Sequence, residues 1–236
     1  MTRYGPDFYA HRDQDTAPSA EAVLSAVLEV LPPIRSAVDV GCGVGTWLAC
    51  LKGKGVAEVF GVDGPWLDPA RLIIPRDAFV QADLGLPLRL ERRFDLALSL
   101  EVAEHLPPER AGSFVADLCA LADCVLFAGA VPHQGGTGHV NEQWQEYWAG
   151  LFDALGYAPV DAVRPRVWSN EAVRVWYRQN TLLYVRRPRL GEVKAPAAAG
   201  PLSVVHPALY AQKVGSLRGA WKTFIRRFRR SILPRR

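Results

Sequence analysis

The stretch VDVGCGVGTWL (38–48) restricts the folds open to this chain more than any other. An apolar run ends in three glycines at alternate positions, Gly41, Gly43 and Gly45, and an apolar pattern of helical period follows. Glycine tolerates positive φ and lets backbone N–H groups approach a ligand with no Cβ in the way. A strand that passes into a helix through such a turn presents free N–H groups and the positive end of a helix dipole. That arrangement suits an anionic group.

The rest of the chain supplies the context such a turn needs. SAEAVLSAVLEVL, from Ser19, has apolar residues at helical spacing and stops before Pro32 and Pro33, which cannot continue a helix. AVDVG reads as a buried strand and WLACLK as a helix ended by Gly53 and Gly55. AEVFGVD, AFVQAD and FDLALSL read as the second, third and fourth strands. A helix over 108–121 precedes DCVLFAGA, the fifth, and 141–156 reads as a helix ended by Gly156. Two late strands are expected near 158–163 and 176–185. Apolar strands alternating with helices imply an α/β fold, a doubly wound and mostly parallel sheet with helices on both faces. This domain is expected to span 1–190. APAAAGP sits in an expected linker, 191–212, and a basic segment lies beyond it.

With 236 residues, 49% of them hydrophobic, the chain can bury one ordinary core. No apolar run reaches the roughly 18 residues of a membrane-spanning helix, and the polar first residues carry no expected leader. The four cysteines lack CxxC spacing and read as reduced thiols of a cytosolic protein. Nine of the 28 Lys and Arg lie in 213–236, which has no Asp or Glu, so the rest carries 19 basic against 24 acidic residues. The basic pI therefore describes the tail and not the main domain. Leu217, Trp221, Phe224, Ile225, Phe228 and Ile232 form one stripe of an expected amphipathic helix over 213–236, beside an Arg-rich face. Peripheral contact of 217–236 with an anionic membrane is the favoured reading, at the inner face. Docking on protein, and a tail drawn to nucleic acid, are the alternatives.

Two acids extend the glycine signal. Asp63 follows the turn by about 20 residues, where a carboxylate accepts hydrogen bonds from a ribose diol. Gly64 follows it and joins the expected cofactor set. Asp83, at the end of the third strand, is placed to accept from an adenine amino group. A dinucleotide turn wants G-x-G-x-x-G, but the third glycine position holds Thr46 and the pattern is G-x-G-x-G. The cofactor then needs no pyrophosphate. S-adenosylmethionine has none: Asp39 would serve its ammonium and the turn amides its carboxylate. A nicotinamide-dependent oxidoreductase is the alternative enzyme, and a nucleotide-binding module without turnover the alternative outside catalysis.

VDVGCGVG, GVD, QADL and FDLALSLEVAEHL together resemble the successive motifs of class I S-adenosylmethionine-dependent methyltransferases, over about 37–185. SLEVAEHL resembles the branch acting on small molecules. The resemblance implies a seven-stranded sheet with an antiparallel last strand. It also implies that Asp39, Gly41, Gly43, Asp63 and Asp83 line the cofactor, with Leu84 beside the adenine and Ser99 and Leu100 below the sulfonium. The [DN]PP[YF] signature usual in methylases of nucleic-acid amino groups is missing after the fourth strand, and an acidic body repels phosphate backbones. The expected acceptor is a small molecule, a hydroxyl on a sugar, glycan precursor or secondary metabolite, and nucleic acid is not the expected substrate.

Methyl transfer from a sulfonium is an in-line displacement, so alignment and water exclusion matter most, and a hydroxyl acceptor also benefits from a base. The candidates lie in two clusters. One is Glu101, Glu104 and His105, where Glu101 and His105 share a side if the segment is helical. The other is GGTGHVNEQW (135–144), where His139 is favoured over His105 and His133 as the base. Two ligands are too few to assign a metal, and none is expected. Trp144 and Trp148, at i and i+4, are expected on one helical face, chiefly as core. WYRQN (176–180) would place Arg178 in a late strand, facing an anionic acceptor or a surface ion pair.

Overall fold

The computed structural model describes residues 6–215, with side chains from residue 16 onward. The described residues up to Val204 form one compact unit. Its strands are β1 (Ser36–Val40), β2 (Glu58–Asp63), β3 (Phe79–Gln81), β4 (Leu96–Leu100), β5 (Cys124–Ala128), β6 (Tyr157–Val160) and β7 (Leu182–Arg186). Its helices are α1 (Pro6–Val30), α2 (Thr46–Gly53), α3 (Ala111–Leu121), α4 (Gln145–Ala154), α5 (Arg164–Val167) and α6 (Val175–Asn180). The strands form one seven-stranded sheet in the order β3-β2-β1-β4-β5-β7-β6. β7 runs antiparallel to both neighbours, and the other pairings are parallel.

Both sheet faces are dry, which explains the continuous apolar strands. Along β5, Cys124, Leu126 and Ala128 face one core, while Val125 and Phe127 face the other. The first core packs β-strand side chains against Val23, Leu24 and Val27 of α1 and Leu48 and Leu51 of α2. The second holds Phe114 and Leu118 of α3 and Trp148 and Phe152 of α4. Each such fully buried side chain contributes about 1.5–3 kcal/mol. All four cysteines are free thiols, Cys42 and Cys124 buried.

Several elements depart from expectation. α1 starts at Pro6, well before Ser19. The helix expected over 141–156 is confined to Gln145–Ala154, because the loop before it is held by side-chain and backbone bonds of its own. Trp144 therefore lies outside the helix and is exposed, while Trp148 is core. WYRQN is not strand: it is most of α6, and β7 starts only at Leu182. Six residues are too few for periodicity to separate the two. The expected linker is docked as far as Val204, with Lys194 N–H donating to Val30 O (2.8 Å), Ala198 N–H to Pro159 O (2.8 Å) and Arg164 to Leu202 O (2.6 Å). Residues 207–215 are helical. The expected membrane segment, 217–236, lies outside the described residues. Among the described residues no helix is long and apolar enough to cross a membrane.

Candidate active site

The strand order reverses between β1 and β4, and the crevice beyond their carboxyl ends is where open α/β sheets bind ligands. The glycine turn occupies that point. Gly41 and Cys42 N–H both donate to Val62 O (2.8 and 3.1 Å), bending the chain back over β2. Gly41, Gly43 and Gly45 all have positive φ (90°, 53° and 94°). A Cβ on Gly41 would lie 2.4 Å from Val102 Cγ2, whereas a Cβ on Gly43 would meet nothing within 4 Å. Gly41 is thus required by packing, and Gly43 opens onto space. Gly45 is the N-cap of α2 and gives it no side-chain cap, so the first-turn N–H groups of that helix keep their affinity for an anion.

Two carboxylates flank the turn. Asp63 Oδ2 accepts from Gly43 N–H (2.7 Å) and Oδ1 from Gly64 N–H (2.6 Å), so it fixes both glycines. Asp39 sits in register with Gly61 of β2 and Leu98 of β4. It is 1% exposed, and its Oδ2 has no hydrogen-bond partner. Burial, reinforced by the like charge of Asp63, pushes its pKa up to about 8. A cationic group beside this acid would favour its ionised form.

The remaining cofactor candidates differ in exposure. Asp83 lies two residues past β3, is exposed, and accepts from Gly85 N–H (2.9 Å). Leu84 is buried, its carbonyl receiving Arg110 Nε (3.2 Å). Ser99 is fully buried and its Oγ donates to Val40 O (3.0 Å), so its hydroxyl joins β4 to β1 and does not point at a ligand. Leu100 ends β4 beside it. Trp66 escaped the sequence reading: its ring lies on the Gly64 backbone, within 2.1 Å of where a Cβ would be, and is 39% exposed.

The two base clusters meet. Val102 fills the place of the missing Gly41 Cβ, so the segment after β4 rests directly on the glycine turn. A 3-10 turn, Ala103–His105, follows. Its Glu104 O accepts from Val140 N–H (2.8 Å) and Asn141 N–H (3.0 Å), which binds the loop carrying His139 to the turn carrying Glu104 and His105. The His105 and His139 rings pack edge to face, centroids 4.8 Å apart. His139 Nε2 lies 4.0 Å from Oε1 of the fully buried Glu104. Its Nδ1 lies 2.9 Å from Glu142 Oε1. Glu142 also accepts from His133 N–H (2.8 Å) and Gly135 N–H (2.7 Å). Burial works against the Glu142 charge, yet the His139 contact and these two N–H groups outweigh it and hold its pKa below the usual carboxylate range. His133 itself is exposed.

Glu101 does not share a face with His105. Its φ of 57° turns the chain before the 3-10 turn begins, so the i, i+4 argument for a helix fails. Its carboxylate instead accepts from Gln134 Nε2 (2.7 Å) and Asn180 Nδ2 (2.9 Å), and Asn180 also donates to Gln134 Oε1 (2.8 Å). All three are buried, so Glu101 is anchored in a polar network beneath the crevice. Arg178 lies on α6 and donates to Trp168 O (3.2 Å).

The model of a methyltransferase-domain family matches residues 9–162. A comparison with curated protein sequences finds no match. Among solved structures, the fold is similar to human N-acetylserotonin methyltransferase in complex with S-adenosylmethionine, at a TM-score of 0.54 and 13% identity over 76% of this chain and 55% of that one. An O-methyltransferase family protein from Burkholderia thailandensis gives 0.56 and 18%, over 76% and 58%. Magnesium protoporphyrin IX methyltransferase from Synechocystis PCC 6803, with bound S-adenosylhomocysteine, gives 0.53 and 20%, over 74% and 83%. The chain spans little more than half the length of the first two. With well over half of its residues matched by the family model, the chain belongs to the methyltransferase-domain family, in agreement with the class I S-adenosylmethionine-dependent motifs it carries.

Proposed function

We propose that this protein transfers the methyl group of S-adenosylmethionine to an oxygen of a small molecule, a hydroxyl on a sugar, glycan precursor or secondary metabolite. One observation carries the reading: Val102 seats the Glu104–His105–His139 cluster against the glycine turn. A carboxylate acceptor would need no proton removed, whereas a hydroxyl does, and the polar cluster suits that task.

The cofactor assignment follows from charge. Asp39 faces the ammonium, the free N–H groups at the start of α2 face the carboxylate, and Asp63 faces the ribose hydroxyls. Gly41, Gly43, Gly45 and Gly64 let the backbone approach. Asp83 and Leu84 border the adenine, and Ser99 and Leu100 form the floor below the sulfonium. The acceptor hydroxyl loses its proton at the cluster, with His139 at its centre and His105 beside it. Its oxygen then attacks the methyl carbon in line as the C–S bond breaks and sulfur keeps the electron pair. Glu101 acts by position, holding the polar floor. For the basic tail, the apolar stripe and Arg-rich face of 217–236 support peripheral contact with an anionic membrane.

Calorimetric titration with S-adenosylmethionine and, separately, with NAD tests the cofactor. Binding of the first alone is expected, and binding of NAD alone overturns the reading. With an acceptor found by screening for S-adenosylhomocysteine release, His139→Ala should lower turnover by about 10²-fold or more at unchanged cofactor affinity. An unchanged rate at saturating acceptor removes His139 from the reaction.

A further inference from the structure

We propose that Glu104, His105 and His139 bind a divalent transition-metal ion, an inference that rests on the methyl-transfer reading for its role but not for its geometry. One ligand atom from each of the three lies within 4.8 Å of the others. Glu104 is fully buried, and His139 is 12% exposed. The separation of His139 Nε2 and Glu104 Oε1, 4.0 Å, is too long for a shared proton. It lies inside the roughly 4.2 Å that two metal bonds of about 2.1 Å can span.

The orientation of His139 points the same way. Its Nδ1 lies 2.9 Å from Glu142 Oε1, which fixes the ring with Nε2 turned toward Glu104 Oε1, 4.0 Å away. A carboxylate on the far nitrogen of a metal-binding imidazole is also the usual outer support of such a site. The support here is built in: Glu142 is fixed by the N–H groups of His133 and Gly135, and the His139 loop is bound to Glu104 O. Two imidazoles and one carboxylate favour a zinc- or manganese-like ion over magnesium or calcium.

Three protein ligands leave positions for water or for the acceptor's oxygen. An acceptor hydroxyl bound there would become more acidic, its proton passing to water at the cluster as its oxygen attacks the methyl carbon, the C–S bond breaks and sulfur keeps the electron pair. His139 then serves as a ligand of the ion.

The full chain, stripped with a chelator and dialysed, is titrated with Mn²⁺ and Zn²⁺ separately at pH 7.5, by calorimetry and by the loss of the free Mn²⁺ spin-resonance signal. One ion per chain is expected, with affinity falling tenfold or more in His105→Asn and in Glu104→Gln. Cofactor affinity should stay at the wild-type value in both variants, which also reports that they fold. Wild-type protein that binds S-adenosylmethionine but neither ion below about 100 µM overturns the metal site alone. So does ion binding that survives both substitutions. Failure to bind S-adenosylmethionine overturns the methyl-transfer reading and leaves the metal result standing by itself.

Discussion

Asp39→Asn separates the cofactor role proposed for this residue from its cost to the fold. In the unfolded chain an aspartate ionises near pH 4, and in the folded chain burial and Asp63 raise that point to about 8. Between those values the folded chain holds a proton that the unfolded chain has released. The contribution of Asp39 to stability is therefore greatest below about pH 4 and declines as pH rises toward 8. Linkage puts the loss between pH 6 and 8 at about 2 kcal/mol. Asparagine keeps the shape and removes the ionisation, so the variant should melt above wild type at pH 8, with the gap closing toward pH 6. Binding reads the same proton from the other side. An ammonium facing Asp39 requires the carboxylate, so wild-type affinity for S-adenosylmethionine should rise about tenfold from pH 6 to 7. It should bend over near pH 8, where Asp39 is half ionised, and level about one unit above. In Asp39→Asn the affinity should drop at least tenfold and lose this slope. Calorimetric titration in two buffers of different ionisation enthalpy counts the proton directly. A wild-type affinity that is flat from pH 6 to 7, or a variant that binds as tightly as wild type, refutes the assignment of Asp39 to the ammonium.

Other positions make independent predictions. Gly41→Ala combines a φ of 90° with a Cβ 2.4 Å from Val102, and should cost about 2 kcal/mol or more in chemical denaturation, with Val102→Ala recovering part of the loss. Gly43→Ala meets no atom, so its stability cost should stay near the roughly 1 kcal/mol of a left-handed residue while cofactor affinity falls tenfold or more. Equal behaviour of the two variants would refute the distinction between packing and ligand space. Arg110 is 5% exposed, pairs with Asp117 and donates to Leu84 O and Leu86 O (3.2 and 2.9 Å), so Arg110→Ala should destabilise by about 3 kcal/mol. A change below about 1 kcal/mol would show that the pair is dispensable. Removing 217–236 should abolish co-sedimentation with anionic vesicles and leave cofactor titration unchanged, and a shortened chain that still sediments refutes the membrane reading.

The fold was readable because both sheet faces are covered. That makes each parallel strand a short apolar run, and Gly41, Gly43 and Gly45 punctuate the first. The proposed cofactor half shares this advantage: Asp39 and Asp63 stand near strand ends, and strand ends in such a sheet converge on one edge. The second half of the site had no such guide. His139 belongs with Glu104 and His105 because Val140 and Asn141 N–H bind a distant carbonyl, a pairing with no periodicity to announce it. Glu101 misled for a local reason, a left-handed backbone at a residue without glycine's freedom. Its partners lie 33 and 79 residues away, at Gln134 and Asn180. Arg110 begins a helix, where an arginine ordinarily signals surface, yet it is buried under the loop after β3. In each case the polar residue itself was visible and its partner was not. Burial makes the partner decisive: Gln134 and Asn180 anchor the Glu101 carboxylate, and the loop after β5 brings His139 Nε2 to 4.0 Å from the buried Glu104 carboxylate.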